Sequence, residues 1–432
     1  MRSPDERVVV TGLGMVTPFG IGHDAFWNGV LDGRSAARLI PGLDPARYPT
    51  PFACPVDDTS LDVGASVTNA KSIKLMSRAT RFAMVAARLA FEDAALPLAA
   101  RDPLRCGVVH GAGGVGLHDQ DYLDTMSAIA ADLRDHDDRN LLELAREHLN
   151  PLTPLKMLPN ISAAHIAIEH DLRGENVTVC TACTSGTQAI GEAMRAIRHG
   201  WADVMLAGGS DAMINPMGLV AFGMLGVLST RVADPSRASR PFDRDRDGFV
   251  MGEGSVLLVL ESARHAERRG ARVRAELSGY GCCSDAYRVT DEREDGSGCV
   301  VAMGRALADA GLRPADIAYV NAHGTGTRMN DATEVRALRQ VFGDHLGRMA
   351  VSSTKSQVGH CVAAAGAVEI GACILALEHQ VLPPTINYET RDPDCDVDVV
   401  PNVSRPAHLE SVLSNSFGFG GQNACVALKR WS

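Results

Sequence analysis

Residues 177–200 read VTVCTACTSGTQAIGEAMRAIRHG, and this stretch decides the fold. Val177–Thr181 is a short β-rich run. After Gly186 the pattern changes: Ala189, Ile190, Ala193, Met194 and Ile197 recur on one helical face. A strand therefore runs through a Thr/Ser/Gly turn straight into a helix, and the same alternation repeats outward in both directions. Strands are expected at Arg7–Thr11, Cys106–His110, Val177–Thr181, Asp203–Ala207, Ser255–Leu260, Ile317–Asn321, Met349–Ser352 and Ser411–Asn415. Helices are expected at Ser77–Ala94, Gly186–His199, Cys299–Ala310, Asp331–Phe342 and Val362–Glu378. The expected class is α/β with mainly parallel, buried sheets. Leu117–Asn150 differs, being acidic and helical in pattern, and reads as a helical excursion from the sheet.

Composition sets the outer limits. The chain has 432 residues, 45% of them hydrophobic, enough for a large core. Lys+Arg is 42 against Asp+Glu 52, a formal charge of −10. Such a body lacks the positive field that nucleic acid or an anionic membrane surface demands. No apolar run reads as a membrane span, and the first apolar stretch, broken by Gly and Pro18, reads as strand and turn instead of a signal peptide. Eleven cysteines, an odd count over a long chain, fit reduced thiols in a cytoplasm.

Three motifs invite a wrong reading. Gly111-Ala-Gly113-Gly-Val-Gly116 matches a dinucleotide fingerprint but lacks the later acidic residue on a second strand, so a small-residue turn is favoured. Asp243-Arg-Asp245-Arg-Asp247-Gly248 imitates a calcium loop, yet Gly254 stands where a bidentate Glu must be. Cys180-Thr-Ala-Cys183 has thioredoxin-like spacing, whereas the bland reading makes Cys180 a buried strand residue. The remaining motifs decide against redox chemistry.

Cys183 opens a helix, where the positive end of the macrodipole favours thiolate, as a nucleophile requires. His323 ends a strand in Asn321-Ala-His-Gly-Thr325-Gly-Thr327, at the kind of strand terminus where α/β sites form. Lys355 and His360 share the loop Ser352-Ser-Thr-Lys-Ser-Gln-Val-Gly-His360, which could aim a cation and a donor at a reacting carbonyl. Phe417 and Phe419 lie among glycines in Asn415-Ser-Phe-Gly-Phe-Gly-Gly421. Each cluster alone has an ordinary structural explanation: a capped turn, a solvated loop, a turn between strands.

Together, TACTSG, NAHGTGT, SSTKSQVGH and SNSFGFGG resemble the β-ketoacyl-acyl-carrier-protein synthases of the elongating, synthase-II type. They are also similar to the ketosynthase alpha subunit of type II polyketide synthases. VVVTGLGMVTPFG and RPFDRDRDGFVMGEG fit the same family, and the resemblance runs from about Val8 to Leu428. It implies the thiolase fold, two similar α/β halves in a layered α-β-α-β-α arrangement. The halves would be 1–265, carrying Cys183 and a helical insertion at about 117–150, and 266–432, carrying His323, Lys355 and His360.

The resemblance implies a decarboxylative Claisen condensation, in fatty-acid or type II polyketide biosynthesis. Cys183 would take the acyl group from the phosphopantetheine of acyl carrier protein. His323 and His360 would hold the enolate of malonyl-carrier protein, and Lys355, paired with Glu369, would orient them. Backbone N–H groups of Cys183 and Phe419 would form the oxyanion hole, Phe419 would gate the site, and Phe417 would support it. Thr325 and Thr327 would bind pantetheine, and Lys71, Lys74, Arg78 and Arg81 would dock the acidic carrier, although a solvated helix face reads alike. No cofactor or catalytic metal is implied; some relatives hold a structural monovalent cation. The partner subunit would be a second copy or a chain-length-factor-like paralogue, with Asn160–Glu169 near the twofold axis. The insertion would reshape the acyl pocket or the partner surface. The alternatives are a non-catalytic or partner-dependent chain-length subunit, which would lack Cys183 as nucleophile, a thiolase, which would use a second cysteine, and the redox reading.

Overall fold

The computed structural model describes residues 7–113, 120–135, 140–149 and 151–431. Ten main strands make one mixed sheet: β1 (Val8–Thr17), β2 (Cys106–Ala112), β3 (Asn176–Val179), β4 (Val204–Asp211), β5 (Gly254–Ser262), β6 (Ala275–Ser284), β7 (Tyr319–Asn321), β8 (Ala350–Ser352), β9 (Ser411–Gly418) and β10 (Gln422–Lys429). Their order is β8-β7-β9-β10-β6-β1-β5-β4-β2-β3, and Gly20–Ile21 hairpins back onto β1.

Outward from the centre, β1-β5-β4-β2-β3 and β6-β10-β9-β7-β8 follow one recipe. Each has two antiparallel pairings and then two parallel ones. Each half thus sets its first strand innermost, then its fifth, fourth, second and third. The halves meet where Val8–Val10 pair with Ala275–Leu277.

The expectation of mainly parallel sheets is corrected to a mixed one. Strands such as β1 and β5 are buried at every position. Their continuous apolar runs report helices on both faces, and that burial looks the same for either strand direction. Strands β6 and β10 were not anticipated. In β6 the pattern is broken by Gly279 and Gly281, and the structure explains both glycines. Added Cβ atoms there would lie 2.3 Å from the Ala306 carbonyl and 2.2 Å from that of Ala302, because a helix lies directly on the strand.

Five helices define the layers: α1 (Arg78–Asp93), α2 (Ser185–Arg198), α3 (Ser297–Ala310), α4 (Arg328–Phe342) and α5 (Ala365–His379). Ile190 and Met194 of α2 and Ile370 and Ile374 of α5 share one core with Val109, Leu258, Leu277 and Val426 from both halves. On the outside, α1 packs Phe82 and Val85 on Val108, Leu206 and Val259. At the other extreme, α3 and α4 pack Met303 and Leu338 on Val320 and Leu413. The expected order of layers is present, each half of the continuous sheet forming one sheet layer: helix, sheet, helix, sheet, helix. Val362–His379 is long and apolar enough to cross a membrane, yet it lies inside the molecule. A helix packed on both sides is apolar all round.

The described part of the expected excursion forms helices Gln120–Asp135 and Leu141–His148. Residues 117–119, 136–139 and 150 of it, and Gly114, Val115 and Gly116 of the glycine turn, lie outside the described residues. The aspartate-rich loop is a clamp: Asp243 accepts from the backbone of Glu389 and Thr390, both at 2.7 Å, and Arg246 is buried between Asp331 and Asp392.

Candidate functional site

β3 leads into a tight turn, Ala182–Thr184, before α2 begins. Ala182 has φ 50°, in the left-handed region that costs a side-chain-bearing residue about 1–3 kcal/mol. Ser185 fastens the turn, its Oγ accepting from the Thr181 N–H at 2.8 Å and donating to the Ala182 carbonyl at 2.7 Å. The other half repeats the device. Turn Val362–Ala364 precedes α5, and Val362 has φ 40°. By this correspondence Ala363 holds in the second half the place of Cys183 in the first.

The turn aims Cys183 at residues of the second half. His360 Nε2 lies 3.2 Å from Cys183 Sγ, and the Phe419 N–H donates to the same sulfur. The His323 and His360 rings meet edge to face, centroids 5.4 Å apart. Phe249 packs against His360 at 5.0 Å and Phe417 against His323 at 5.8 Å, both edgewise. The side chains of Cys183, His323 and His360 are all buried yet line one cavity of about 490 Å³. Thr325 and Thr327, hydroxyls 3.0 Å apart, Phe417 and Phe419 line it too.

Lys355 organises the second half of the site. Its ammonium donates to the His323 carbonyl at 2.6 Å, faces His323 Nδ1 at 3.3 Å, and pairs with Glu369. An ammonium has only donors, so His323 Nδ1 must accept and the ring proton sits on Nε2. Burial, reinforced by the Lys355 charge, holds both imidazoles well below the usual range, so both are neutral near pH 7. Burial lifts the Glu369 carboxyl to about 7 against the pull of Lys355.

The expected thiolate is corrected. Burial pushes the Cys183 thiol up to about 12, and the opposing Lys355 charge and Phe419 N–H do not offset it. At rest Cys183 is a thiol whose proton lies within reach of His360. The dipole argument weighed the helix terminus and left out desolvation, the larger effect here. Cys180 is exposed, not buried, with its sulfur 3.6 Å from the Gly113 carbonyl. The C-x-x-C pair is therefore split between the surface and the cavity.

Arg78 is the other correction. Its guanidinium grips the buried carboxylate of Glu253 with bonds of 3.0 and 2.6 Å, pairs with Asp58 and lies over Phe82. It is a structural clasp, and only Lys71 and Lys74 of the four basic residues are exposed; Arg81 is half-buried.

Glu334 was missed. It accepts from the N–H groups of His323 and Gly324 at 3.0 and 2.8 Å, and from Asn415 Nδ2 at 3.0 Å. Its signal was Asp331 and Glu334, two acids one turn apart on a helix that also had to be buried. Cys183, His323 and His360 hold their donor atoms within 4.8 Å of one another. That soft sulfur–nitrogen set suits zinc and does not suit a monovalent cation, which takes oxygens.

Family models for the beta-ketoacyl synthase N-terminal domain and C-terminal domain match residues 5–266 and 274–389. The chain is 39% identical to 3-oxoacyl-[acyl-carrier-protein] synthase 2 of Coxiella burnetii, covering 98% of both. It is 40% identical to the tetracenomycin polyketide synthase ketoacyl synthase alpha subunit of Streptomyces glaucescens, covering 99% of this chain and 98% of that one. Among solved structures, a type II PKS acyl-carrier protein in complex with its ketosynthase matches with TM-score 0.86 at 33% identity, covering 98% of this chain and 99% of that one. The ishigamide ketosynthase/chain length factor matches with TM-score 0.85 at 35% identity, covering 99% of each.

Proposed function

The chain belongs to the β-ketoacyl synthase family, and on that premise we propose that Cys183 is the acyl acceptor of its condensation reaction. The fold is the thiolase fold, and the repeat of strand order supports dividing the chain near residue 265. The enzyme joins an acyl group to malonyl-acyl-carrier protein and releases a β-ketoacyl-carrier protein two carbons longer. The observation that carries the assignment of residues is the 3.2 Å approach of His360 Nε2 to Cys183 Sγ, with His323 beside them on one cavity.

In the first half-reaction Cys183 Sγ attacks the acyl thioester while its proton passes to His360 Nε2. The proton then goes to the departing pantetheine sulfur. The developing oxyanion takes the N–H groups of Cys183 and Phe419. In the second, malonyl thioester loses its carboxylate as carbon dioxide, and the electron pair left behind forms an enolate. The Nε2–H of His323 faces the enolate oxygen, with His360 alongside. A neutral donor in a dry pocket stabilises that charge without itself transferring a proton. The enolate carbon attacks the Cys183 thioester, and the sulfur leaves as thiolate and takes up one proton from solvent, the proton that the overall condensation consumes. Lys355 fixes the His323 tautomer, Glu369 balances Lys355, and Phe417 supports the His323 ring. Thr325 and Thr327 bind the pantetheine arm, and Phe419 gates the entrance.

The partners are acyl carrier protein and a second subunit, a further copy or a chain-length-factor-like paralogue. A non-catalytic chain-length role is not favoured, because Cys183 is present and poised. Every reacting group arrives on carrier-bound thioesters, so no cofactor enters these steps, nor does any step require a monovalent cation. Lys71 and Lys74 are the proposed carrier contacts. The helices within 120–149 are proposed to shape the acyl pocket or the partner surface. The proposed compartment is the cytoplasm, on the ground of eleven cysteines, all free.

The test is intact-mass analysis after incubation with a carrier-bound acyl thioester. An acyl adduct on the wild type and none on Cys183→Ala is the expected result. An adduct that persists in Cys183→Ala would remove the assignment.

A further inference from the structure

Three acidic side chains line the condensing cavity without a part in the machinery above: Asp247, which accepts from Ser229, Asp291, which accepts from Arg288, and Glu292. Glu292 lines the cavity with Thr325, Thr327 and Asn330, and its Oε2 is buried with no hydrogen-bond partner among the described residues. A buried carboxyl oxygen left unpaired costs stability, so such a group persists where something else fills the bond.

We infer that the Glu292 carboxyl is a substrate-reading group, donating a hydrogen bond to a carbonyl oxygen of the thioester drawn into the cavity. This rests on the proposed reading of the site.

The surroundings fix its protonation. Burial raises Glu292 to about 8, and the neighbouring carboxyls of Glu334, Asp331, Asp285 and Asp291 all push the same way. These come from α4, the residue after β6 and the loop carrying Glu292 itself; Arg328 at the start of α4 lines the same cavity, its Nε donating to the Arg246 carbonyl at 3.4 Å. Cys299 of α3 also lies within electrostatic range of Glu292 and adds no positive charge. At neutral pH Glu292 is therefore an uncharged O–H donor, and its complement is an acceptor. The substrate offers such acceptors in two places: the amide carbonyls of the pantetheine arm and any keto oxygen along the acyl chain. Above about pH 8 the carboxyl ionises, becomes an acceptor only, and opposes the carbonyl it had held.

The experiment compares wild type, Glu292→Gln and Glu292→Ala on one carrier protein loaded with a saturated acyl chain or its 3-oxo counterpart. Acylation of Cys183 is followed by mass, and kcat and KM are measured from pH 6 to 9. Glu292→Ala should raise KM about threefold to tenfold, the worth of one hydrogen bond. Glu292→Gln, which keeps a neutral N–H donor, should stay near wild type and lose the rise in KM above about pH 8. A loss with both donors identifies the arm carbonyl; a loss confined to the 3-oxo donor identifies the acyl oxygen. Unchanged KM in Glu292→Ala with both donors overturns the inference, as does Glu292→Gln failing as badly as Glu292→Ala. If the wild type itself takes no acyl group on Cys183, the reading of the site has failed instead.

Discussion

Arg78→Ala should unfold the protein more easily, not merely weaken carrier docking. Arg78 makes two bonds to Glu253, one to the Val56 carbonyl at 3.2 Å, and a pair with Asp58. Without it, the Val56 N–H at 3.0 Å is the hydrogen-bond donor left to Glu253 among the described residues, and the Glu253 side chain is 1% exposed. Breaking a buried pair by removing one partner costs about 3–5 kcal/mol. Arg78 is 31% exposed, so water screens part of this, and a cost of about 2–3 kcal/mol is expected. Burial already raises Glu253 above its unfolded value with Arg78 in place. A carboxyl raised on folding stabilises below its unfolded pKa and loses that contribution as pH rises through the folded one. Arg78→Ala raises Glu253 further, so the deficit should be larger at about pH 8 than at pH 5. The assay is urea denaturation of Arg78→Ala, Glu253→Gln and the double variant at both pH values. Additive single effects, or a cost for Arg78→Ala below about 0.5 kcal/mol at both, would refute the clasp.

The other predictions concern the surface and the site. Lys71→Glu with Lys74→Glu should raise KM for carrier-bound substrate about threefold to tenfold, less at high salt, with the urea midpoint unmoved; unchanged KM at low salt moves the docking surface elsewhere. Lys355→Met removes a charge that, after burial, holds His323 and His360 down, so the acid limb of the pH–rate profile should move upward. A limb that stays in place shows that these imidazoles do not titrate in it. Gly111→Ala should slow Cys183 acylation and cost about 1–3 kcal/mol in urea midpoint measurements, since the new Cβ would lie 2.6 Å from the Gly186 nitrogen at the start of α2. Wild-type acylation and stability in that variant would mean the junction yields freely.

The strand-turn-helix at 177–200 was legible because both periodicities are unbroken there, and the four motif clusters do converge on one cavity. Legibility failed where a residue's meaning depends on what packs over it. Gly279 and Gly281 hide a strand because a helix sits on them. Arg78 reads as a free cation until Glu253, distant in sequence, is seen beneath it. Desolvation of Cys183 is likewise a property of the assembled halves, and no local pattern encodes it.

The matching turns before α2 and α5 carry a consequence for how the two halves depend on each other. Two copies of one architectural unit each retain a strained corner, one bearing a thiol at Cys183 and the other the inert methyl of Ala363. The repeated architecture is broken in its chemistry, with the thiol in one copy and the paired imidazoles in the other. Neither copy retains a whole workshop, so separation of the halves should abolish turnover even if each still folds.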